Sequence, residues 1–297
     1  MDYGLFGFND GGLCTPDSME RVVVTAEQLG FESVWTGEHV IMIDPQAPPS
    51  PVPPEAPMMD TIASLAFAAA KTKTIKLGSG ILLLPQRDPV VLAKELAGVD
   101  VLSKGRLIFG LGVGYVKGEF DALGIPWEER GARTSEHMEV LRTLWTQEKP
   151  VFDGRFTQFS GIKSHPMPVQ KPHPPMLVGG GSRPALRRTI AQGDGWYGCY
   201  GLEETAEKLK ELEELANEVE RPESLGRLEI TITPTGSGGD YSDGFVNADD
   251  AKRFEELGVD RLVLIRDWLD QGSLPSQEIE DAVISFLEKE AKELMIG

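Results

Sequence analysis

The chain contains few of the residues that build disulfides and metal centres. It has two cysteines, Cys14 and Cys199, and four histidines in 297 residues. No two histidines have the spacing of a metal site, so no metal is predicted. Two cysteines far apart in sequence are typical of a reducing compartment, so we expect a cytoplasmic protein in which both are small buried hydrophobic residues.

Long apolar runs and basic segments are also missing. No apolar run is long enough to span a bilayer, and no basic stretch precedes an apolar one at the N-terminus, so neither a membrane partner nor a signal peptide is predicted. The chain has 29 Lys and Arg against 47 Asp and Glu, a formal net charge of −18. Nucleic acid is therefore not expected as a partner. Any anionic ligand must be held by local backbone N–H groups and a few basic side chains.

Apolar runs alternate with helical patterns through most of the chain. A hydrophobic content of 40% and a charged content of 26% are typical of a soluble globular protein. Eight short strands are predicted at 3–8, 33–36, 76–82, 107–111, 176–178, 195–197, 228–233 and 261–265. Eight helices are predicted at 18–29, 61–71, 89–102, 133–146, 184–192, 203–219, 248–257 and 277–294.

This alternation predicts the fold. Strand and helix repeated about eight times favour a closed (β/α)₈ TIM barrel over an open doubly wound sheet. Residues 1–297 are predicted to form this one domain. The proline-rich segment 41–60 cannot be helical and is predicted to be an extended loop or lid. An insertion at about 149–175, between the fourth helix and the fifth strand, contains Asp153-Gly154 and is predicted to form a hairpin.

Catalytic groups of a barrel lie at the C-terminal ends of its strands. His39 follows the second strand, and imidazole can act as an acid or a base near neutral pH. A structural histidine in a loop is the alternative. Glu38 beside it is interpreted as a hydrogen-bond acceptor for a ligand or a backbone amide. The other histidines are interpreted as structural or exposed: His137, His165 and His173.

Two glycine runs follow predicted strands. The spacing of residues 110–114, GLGVG, does not match a dinucleotide-binding loop, so it is interpreted as backbone cleared for a flat ring or as a tight turn. Gly180, Gly181 and Ser182 lead into Arg183-Pro184, where a helix N-terminus forms an anion site with Arg183 close by. A glycine-rich turn with a capping serine is the alternative.

Four separated blocks occur in order along about residues 1–200. They are AEQLGFESVWTGEHV, LGSGILLLPQRDPVVLAKELAGVDVLSKGRLIFGLGVGY, FDALGIPWEERGARTSEHMEVLRTLW and PPMLVGGGSRPALRRTIAQGDGW. Together they resemble the luciferase-like monooxygenase superfamily, and most closely its branch of coenzyme F420 (deazaflavin)-dependent oxidoreductases.

The resemblance implies a TIM barrel, usually a homodimer, that holds a flavin or deazaflavin at the strand C-termini. It implies a cis peptide bond between Gly80 and Ile81, cofactor binding by Glu38 and proton donation or charge stabilisation by His39. The cofactor-binding set carried over is Glu38, Gly80, Ile81, Leu83, Val113, Gly180, Gly181, Ser182, Pro184 and Ala185. The substrate-pocket set is Tyr115, Tyr200 and Arg266. Five aromatic residues suggest a planar apolar substrate or simple packing: Trp35, Tyr115, Trp196, Tyr200 and Trp268.

The implied reaction is hydride transfer between coenzyme F420 and a small organic substrate. Many deazaflavin enzymes carry Asp where this chain has Glu38, whereas FMN relatives often carry Glu-His, so an FMN-dependent monooxygenase that uses O₂ is the alternative. Some sugar-phosphate dehydrogenases of the family have an acid where this chain has Tyr115, so a sugar phosphate is not expected. A non-redox barrel with the same anion site, and a relative that only binds the cofactor, are the remaining alternatives.

Overall fold

Eight parallel strands close into a barrel. The computed structural model describes residues 1–50, 52–235, 246–265 and 277–295. Its strands are β1 (Asp2–Phe6), β2 (Ser33–Thr36), β3 (Lys76–Ser79), β4 (Leu82–Leu83), β5 (Leu107–Gly112), β6 (Phe152–Asp153), β7 (Gln158–Phe159), β8 (Met176–Gly179), β9 (Gly195–Cys199), β10 (Glu229–Thr233) and β11 (Arg261–Leu264). The barrel order is β1, β2, β3 with β4, β5, β8, β9, β10 and β11, which pairs back with β1. The predicted barrel is confirmed.

Helices cover the outside of the barrel. They are α1 (Pro16–Leu29), α2 (Thr61–Lys71), α3 (Pro89–Ser103), α4 (Lys117–Leu123), α5 (Arg130–Thr146), α6 (Arg183–Gln192), α7 (Leu202–Ala216), α8 (Ala248–Glu256) and α9 (Gln277–Glu290), which continues as a π-helix over Ala291–Met295. All eight predicted helices are present, and α4 was not predicted because seven residues carry little periodic signal. No helix within the described ranges is long and apolar enough to cross a membrane.

The predicted third strand is interrupted near its end. Residues 76–82 divide into β3 and β4, and both pieces pair with β5. Between them the peptide bond from Gly80 to Ile81 is cis, as the resemblance implied. The interruption lies at the C-terminal end of the barrel, where it forms a bulge in the wall of the mouth.

The insertion carries a hairpin, as predicted. Strands β6 and β7 pair antiparallel, but the turn is longer than Asp153-Gly154 alone: Gly154 N donates to Thr157 O at 2.9 Å. Glu136 on α5 accepts the N–H groups of residues 155–157 at 2.7–2.8 Å. Farther along, buried Asp100 on α3 accepts N–H bonds from Val169 and Gln170. The insertion is thereby fastened to two barrel helices.

The barrel is filled by large side chains. Its interior cluster consists of Trp35, Ile108, Leu177, Tyr197 and Val263, each at most 3% exposed. A larger apolar layer lies between the strands and the surrounding helices. Strands buried on both faces explain their almost continuous apolar sequences, as expected for a parallel sheet.

An ion-pair cluster closes the N-terminal end of the barrel. Arg261 is two residues before Val263, so its side chain also points into the barrel, and it is 2% exposed. Its guanidinium donates to both carboxylate oxygens of Glu32, at 2.8 and 2.9 Å, and to Glu229. Burial raises the pKa of Glu32, but Arg261 and Lys76 outweigh this effect and hold that pKa at about 2. Glu32 therefore stabilises the fold in its ionised form.

We expect Glu32→Gln to lower the free energy of unfolding by roughly 3 kcal/mol at pH 7, because Arg261 keeps its burial but loses a paired charge. The folded-state pKa is below the ordinary 4.5, so the contribution is complete above that pH and is lost as the pH falls toward 2. The difference from wild type should therefore be about half as large at pH 3.

Urea unfolding at pH 7 and pH 3 measures this difference. Glu20→Gln is the matched control, because Glu20 pairs with Lys71 at the surface and is 45% exposed. Glu20→Gln should change the free energy of unfolding by less than about 1 kcal/mol. Equal losses in the two variants would contradict the assignment of Glu32.

Candidate active site

His39 lies at the C-terminal mouth of the barrel, three residues beyond the end of β2. Its side chain is 9% exposed, and both ring nitrogens have partners. Nδ1 is 3.2 Å from Glu119 Oε1, and Nε2 is 3.2 Å from the hydroxyl of Tyr115. The ring of Tyr115 meets the imidazole edge-on, and half of that tyrosine is exposed. His39 and Tyr115, predicted from different strands, are thus brought into contact.

Glu119 is the residue that the sequence interpretation missed. It lies in α4, is fully buried, and accepts bonds from Val40 N at 3.1 Å and Gln86 Nε2 at 3.1 Å. One signal could have found it: Glu119 is four residues beyond Tyr115 in a segment leaving a barrel strand. The helix that carries it was not predicted, so no face could be assigned to the residue.

Glu38 is engaged by the protein itself. Its carboxylate accepts the backbone N–H of Leu83 and pairs with Arg87, which also bonds Asp60 at 2.8 Å. Leu83 is the last residue of β4 and Arg87 follows it, so Glu38 ties the end of β2 to the segment after the bulge. The interpretation of Glu38 as an acceptor for a backbone amide is confirmed, and its binding of a cofactor stays a prediction.

Asn9 and Asp10 follow β1 at the same end. Asn9 is fully buried and bonds both backbone groups of Gly37, at 2.9 and 3.1 Å, and the carbonyl of Met59 at 2.7 Å. It thereby joins the proline-rich segment to the end of β2. Asp10 is 7% exposed, and its Oδ1 has no hydrogen-bond partner among the described residues. Burial raises the pKa of Asp10 to about 7.

Glycines of β5 and β8 make room for the bulge. A Cβ on Gly112 would lie 2.0 Å from Ile81 Cδ1, and one on Gly179 would lie 2.6 Å from the same atom. A Cβ on Gly110 would lie 2.0 Å from the carbonyl oxygen of Ser79. These glycines therefore accommodate the protein's own backbone and Ile81, a partner that the interpretation of GLGVG as backbone cleared for a ring did not foresee.

The predicted anion loop lies between β8 and α6. Gly180 has a φ of +98°, which glycine adopts readily, and Ser182 is the N-cap but makes no side-chain bond to its own helix. Arg183, expected beside an anion, pairs instead with Glu218 at 2.6 Å. Tyr200 approaches the loop so closely that a Cβ on Gly181 would be 2.1 Å from its hydroxyl. Gly181 and Tyr200 are thus adjacent.

The other predicted residues are distributed around the mouth. Pro184 and Ala185 begin α6, and the Cβ of Ala185 would be 3.7 Å from one on Gly180. Val113 is half-buried just after β5. Arg266 and Trp268 lie outside the described residues.

Two of the five aromatic residues belong to the core. Trp35 and Trp196 are fully buried, so the packing interpretation is confirmed for them. His137 is buried and bonds the carbonyl of Leu84, and His165 is exposed, as predicted. Cys14 and Cys199 were predicted to be buried, but both are only half-buried. The thiol of Cys14 donates to the carbonyl of Asn9 at 3.0 Å.

A cavity of about 300 Å³ opens beside His39. It is lined by Glu38, His39, Val40, Met58, Met59, Asp60, Thr61, Gln86, Arg87 and Leu123. Val40, Met59 and Leu123 are each at least 39% exposed and give the cavity an apolar rim. The arrangement can therefore admit a small, partly apolar molecule next to the imidazole of His39.

The sequence of this chain is similar to a family model and to several known proteins. A family model described as luciferase-like monooxygenase matches residues 5–238. An uncharacterised protein of Mycobacterium tuberculosis is 34% identical over 205 residues, which cover 66% of this chain and 71% of the relative. The FMNH₂-dependent dimethylsulfone monooxygenase of Pseudomonas putida is 37% identical over 131 residues, 43% of this chain and 36% of that protein.

Solved structures share the fold. The coenzyme F420-dependent tetrahydromethanopterin reductase of Methanopyrus kandleri has a TM-score of 0.72 at 17% identity and covers 99% of this chain and 98% of its own. An F420-dependent secondary alcohol dehydrogenase in complex with an F420–acetone adduct has a TM-score of 0.69 at 18% identity, with 97% of both chains covered.

We expect Asp10→Asn to stabilise the fold at pH 8 by roughly 2–4 kcal/mol and by less than about 1 kcal/mol at pH 4. The folded-state pKa is raised above 3.8, so the unfolded chain ionises more easily and stability is lost as the pH rises toward 7. The neutral amide removes this loss.

Thermal or urea unfolding across pH 4–8 gives the comparison. Asp17→Asn is the control, because Asp17 is exposed in the first turn of α1. A wild type and an Asp10→Asn variant with parallel pH dependence would show that Asp10 is ionised without cost.

Proposed function

This chain belongs to the luciferase-like monooxygenase family, and on that premise we propose that it is an oxidoreductase that transfers a hydride between coenzyme F420 and a small organic substrate. Our proposal assigns proton transfer to His39 and cofactor binding to the loops at the C-terminal end of the barrel. We further propose a homodimer in the cytoplasm, which light scattering and fractionation would test.

One observation carries the proposal. The imidazole of His39 lies at the barrel mouth, between a buried carboxylate and a half-exposed tyrosine, beside a cavity with an apolar rim. Imidazole exchanges protons near neutral pH without a large perturbation. A barrel mouth is where enzymes of this fold keep their reacting groups. Together these features support redox chemistry that moves a proton along with a hydride.

The residues present fit a deazaflavin. In this proposal the bulge at Gly80 and Ile81 would form the floor for a flat ring, and Leu83 and Val113 would lie beside it. Ser182 leaves the start of α6 without a side-chain cap, so N–H groups there are available to a phosphate. Bound coenzyme F420 would supply the two-electron hydride donor or acceptor. Pro184 and Ala185 would support the phosphate from the first helical turn.

The protein's own residues would manage the proton. When an alcohol or an amine loses a hydride from carbon, its O–H or N–H group loses a proton, and His39 would accept that proton; the reverse reaction would return it. Tyr115, Tyr200 and Arg266 remain the proposed substrate contacts. Glu38 would bind the cofactor directly or would position the segment after β4, which it holds through Arg87.

A second function has specific support. The similarity to an FMNH₂-dependent monooxygenase of Pseudomonas putida and the Glu38-His39 pair both favour an enzyme that uses FMN and O₂. Oxygen consumption with reduced FMN and candidate substrates separates this function from hydride transfer to F420.

We expect purified chain without cofactor to bind coenzyme F420 at least about tenfold more tightly than FMN, which corresponds to about 1.4 kcal/mol. Titration of the same preparation with each cofactor, followed by fluorescence, measures the two dissociation constants. Equal affinities, or a yellow FMN that co-purifies with the protein, would favour the monooxygenase instead.

Ser182 gives a clean test of the phosphate loop. A substitution at Gly181 would strike Tyr200, whereas Ser182 is exposed and at the N-cap, where Asp and Asn cap helices about equally well. We expect Ser182→Asp to weaken F420 binding by about two orders of magnitude, because like charges about 4 Å apart repel by several kcal/mol at an effective dielectric near 20.

Ser182→Asn is the matched control and should bind within about threefold of wild type. Circular dichroism and thermal unfolding establish that both variants fold. Wild-type affinity in folded Ser182→Asp would mean that the phosphate binds elsewhere, such as at the loops after β10 and β11.

A further inference from the structure

We propose that Glu119 is a positioning residue that holds His39 with its hydrogen on Nδ1, so that Nε2 is the atom that exchanges a proton with the substrate. The kinetic part of this inference rests on the proposed function. The part that concerns the tautomer of His39 rests on the contacts of Glu119 alone.

The acceptor character of a carboxylate determines the direction of each bond. Glu119 Oε1 is 3.1 Å from Val40 N and 3.2 Å from His39 Nδ1, while Oε2 is 3.1 Å from Gln86 Nε2. Val40 N and Gln86 Nε2 can only donate, and an ionised carboxylate can only accept. In our proposal Glu119 is ionised, so the hydrogen between it and His39 belongs to Nδ1.

This assignment leaves the second ring nitrogen as an acceptor. In neutral imidazole one nitrogen carries the hydrogen and the other a lone pair, so Nε2 accepts from the hydroxyl of Tyr115 at 3.2 Å. Burial, followed by the charge of Glu119, raises the pKa of Tyr115 to about 12, so this hydroxyl keeps its hydrogen. Nε2 is the nitrogen on the exposed side of the ring, where a substrate could replace the tyrosine.

Glu119 is itself held in place by the wall of the mouth. Gln86, which bonds it, is the neighbour of Arg87, which pairs with Glu38. Arg87 therefore bonds Glu38 directly, whereas Gln86 is linked to His39 through Glu119. A carboxylate that is fully buried and bonded three times fixes the plane of the imidazole and favours the imidazolium that forms when Nε2 takes a proton.

The tautomer can be measured in the chain without any cofactor. Nitrogen-15 NMR of the imidazole groups at pH 8 distinguishes a protonated from an unprotonated nitrogen, and the His39→Asn variant identifies the signals of His39. We expect the hydrogen on Nδ1 in wild type. A hydrogen on Nε2 in wild type would overturn the proposal, whether or not any variant folds and whatever cofactor the enzyme uses.

Glu119→Gln tests the role of the charge. The amide keeps the shape, and Gln86 Oε1, which has no partner among the described residues, can turn to accept from it. We expect the preference for hydrogen on Nδ1 to weaken, kcat to fall by about 10- to 100-fold and KM to change by less than about threefold. Asp121→Asn is the control, because Asp121 lies in the same helix and pairs only with exposed Lys117 in the described contacts; it should leave kcat unchanged.

A double substitution separates positioning from a structural effect. In the His39→Ala background, Glu119→Gln should lower kcat by less than about twofold, because Glu119 acts through the imidazole that is already missing. The same loss of kcat in both backgrounds would overturn the proposal. A chain that fails to turn over F420 would contradict the proposed function, while the NMR result would still decide the positioning of His39.

Discussion

The side chain of Ile81 occupies the C-terminal mouth of the barrel, and the shape of that mouth depends on the space left for it. The strand that carries Ile81 divides around it, and both parts stay paired with β5. Gly112 and Gly179 face the isoleucine from two other strands, where any Cβ would be closer than van der Waals contact allows. Protein interiors are packed at crystal-like density, so a bulge of this kind survives only if its neighbours give up volume. Gly112 and Gly179 therefore leave the space that the side chain of Ile81 occupies.

The polar groups of the mouth are held by one another before any ligand arrives. Glu38 and His39 are neighbours in sequence, yet their side chains form hydrogen bonds with different partners. Arg87 and Leu83 hold the glutamate, and Glu119 holds the histidine. Groups held in this way do not have to reorganise during a reaction, which is how preorganised sites lower barriers. Glu38 and Glu119 are thus each bonded to groups of the mouth, Glu38 to Leu83 and Arg87 and Glu119 to His39.

The buried carboxylates at the two ends of the barrel have pKa values that are shifted in opposite directions. At the N-terminal end, Glu32 is paired with a guanidinium that is itself buried, and its charged form stabilises the fold. At the mouth, Asp10 lies buried with one oxygen unpartnered among the described residues, and its charged form is disfavoured. Such a separation is common in barrels, in which one end maintains stability and the other holds function.

The sequence by itself determined the eight strands, the barrel that they form, the hairpin insertion and the position of His39 at a strand end. These features follow from periodicity and from turn residues, which act over a few neighbours. Only the tertiary structure decided which side chains meet. Glu119 reaches His39 across 80 positions of sequence, and the glycines of β5 and β8 find Ile81 on another strand. Contacts of this kind leave no local pattern, because they are created when the barrel closes and brings the strand ends together.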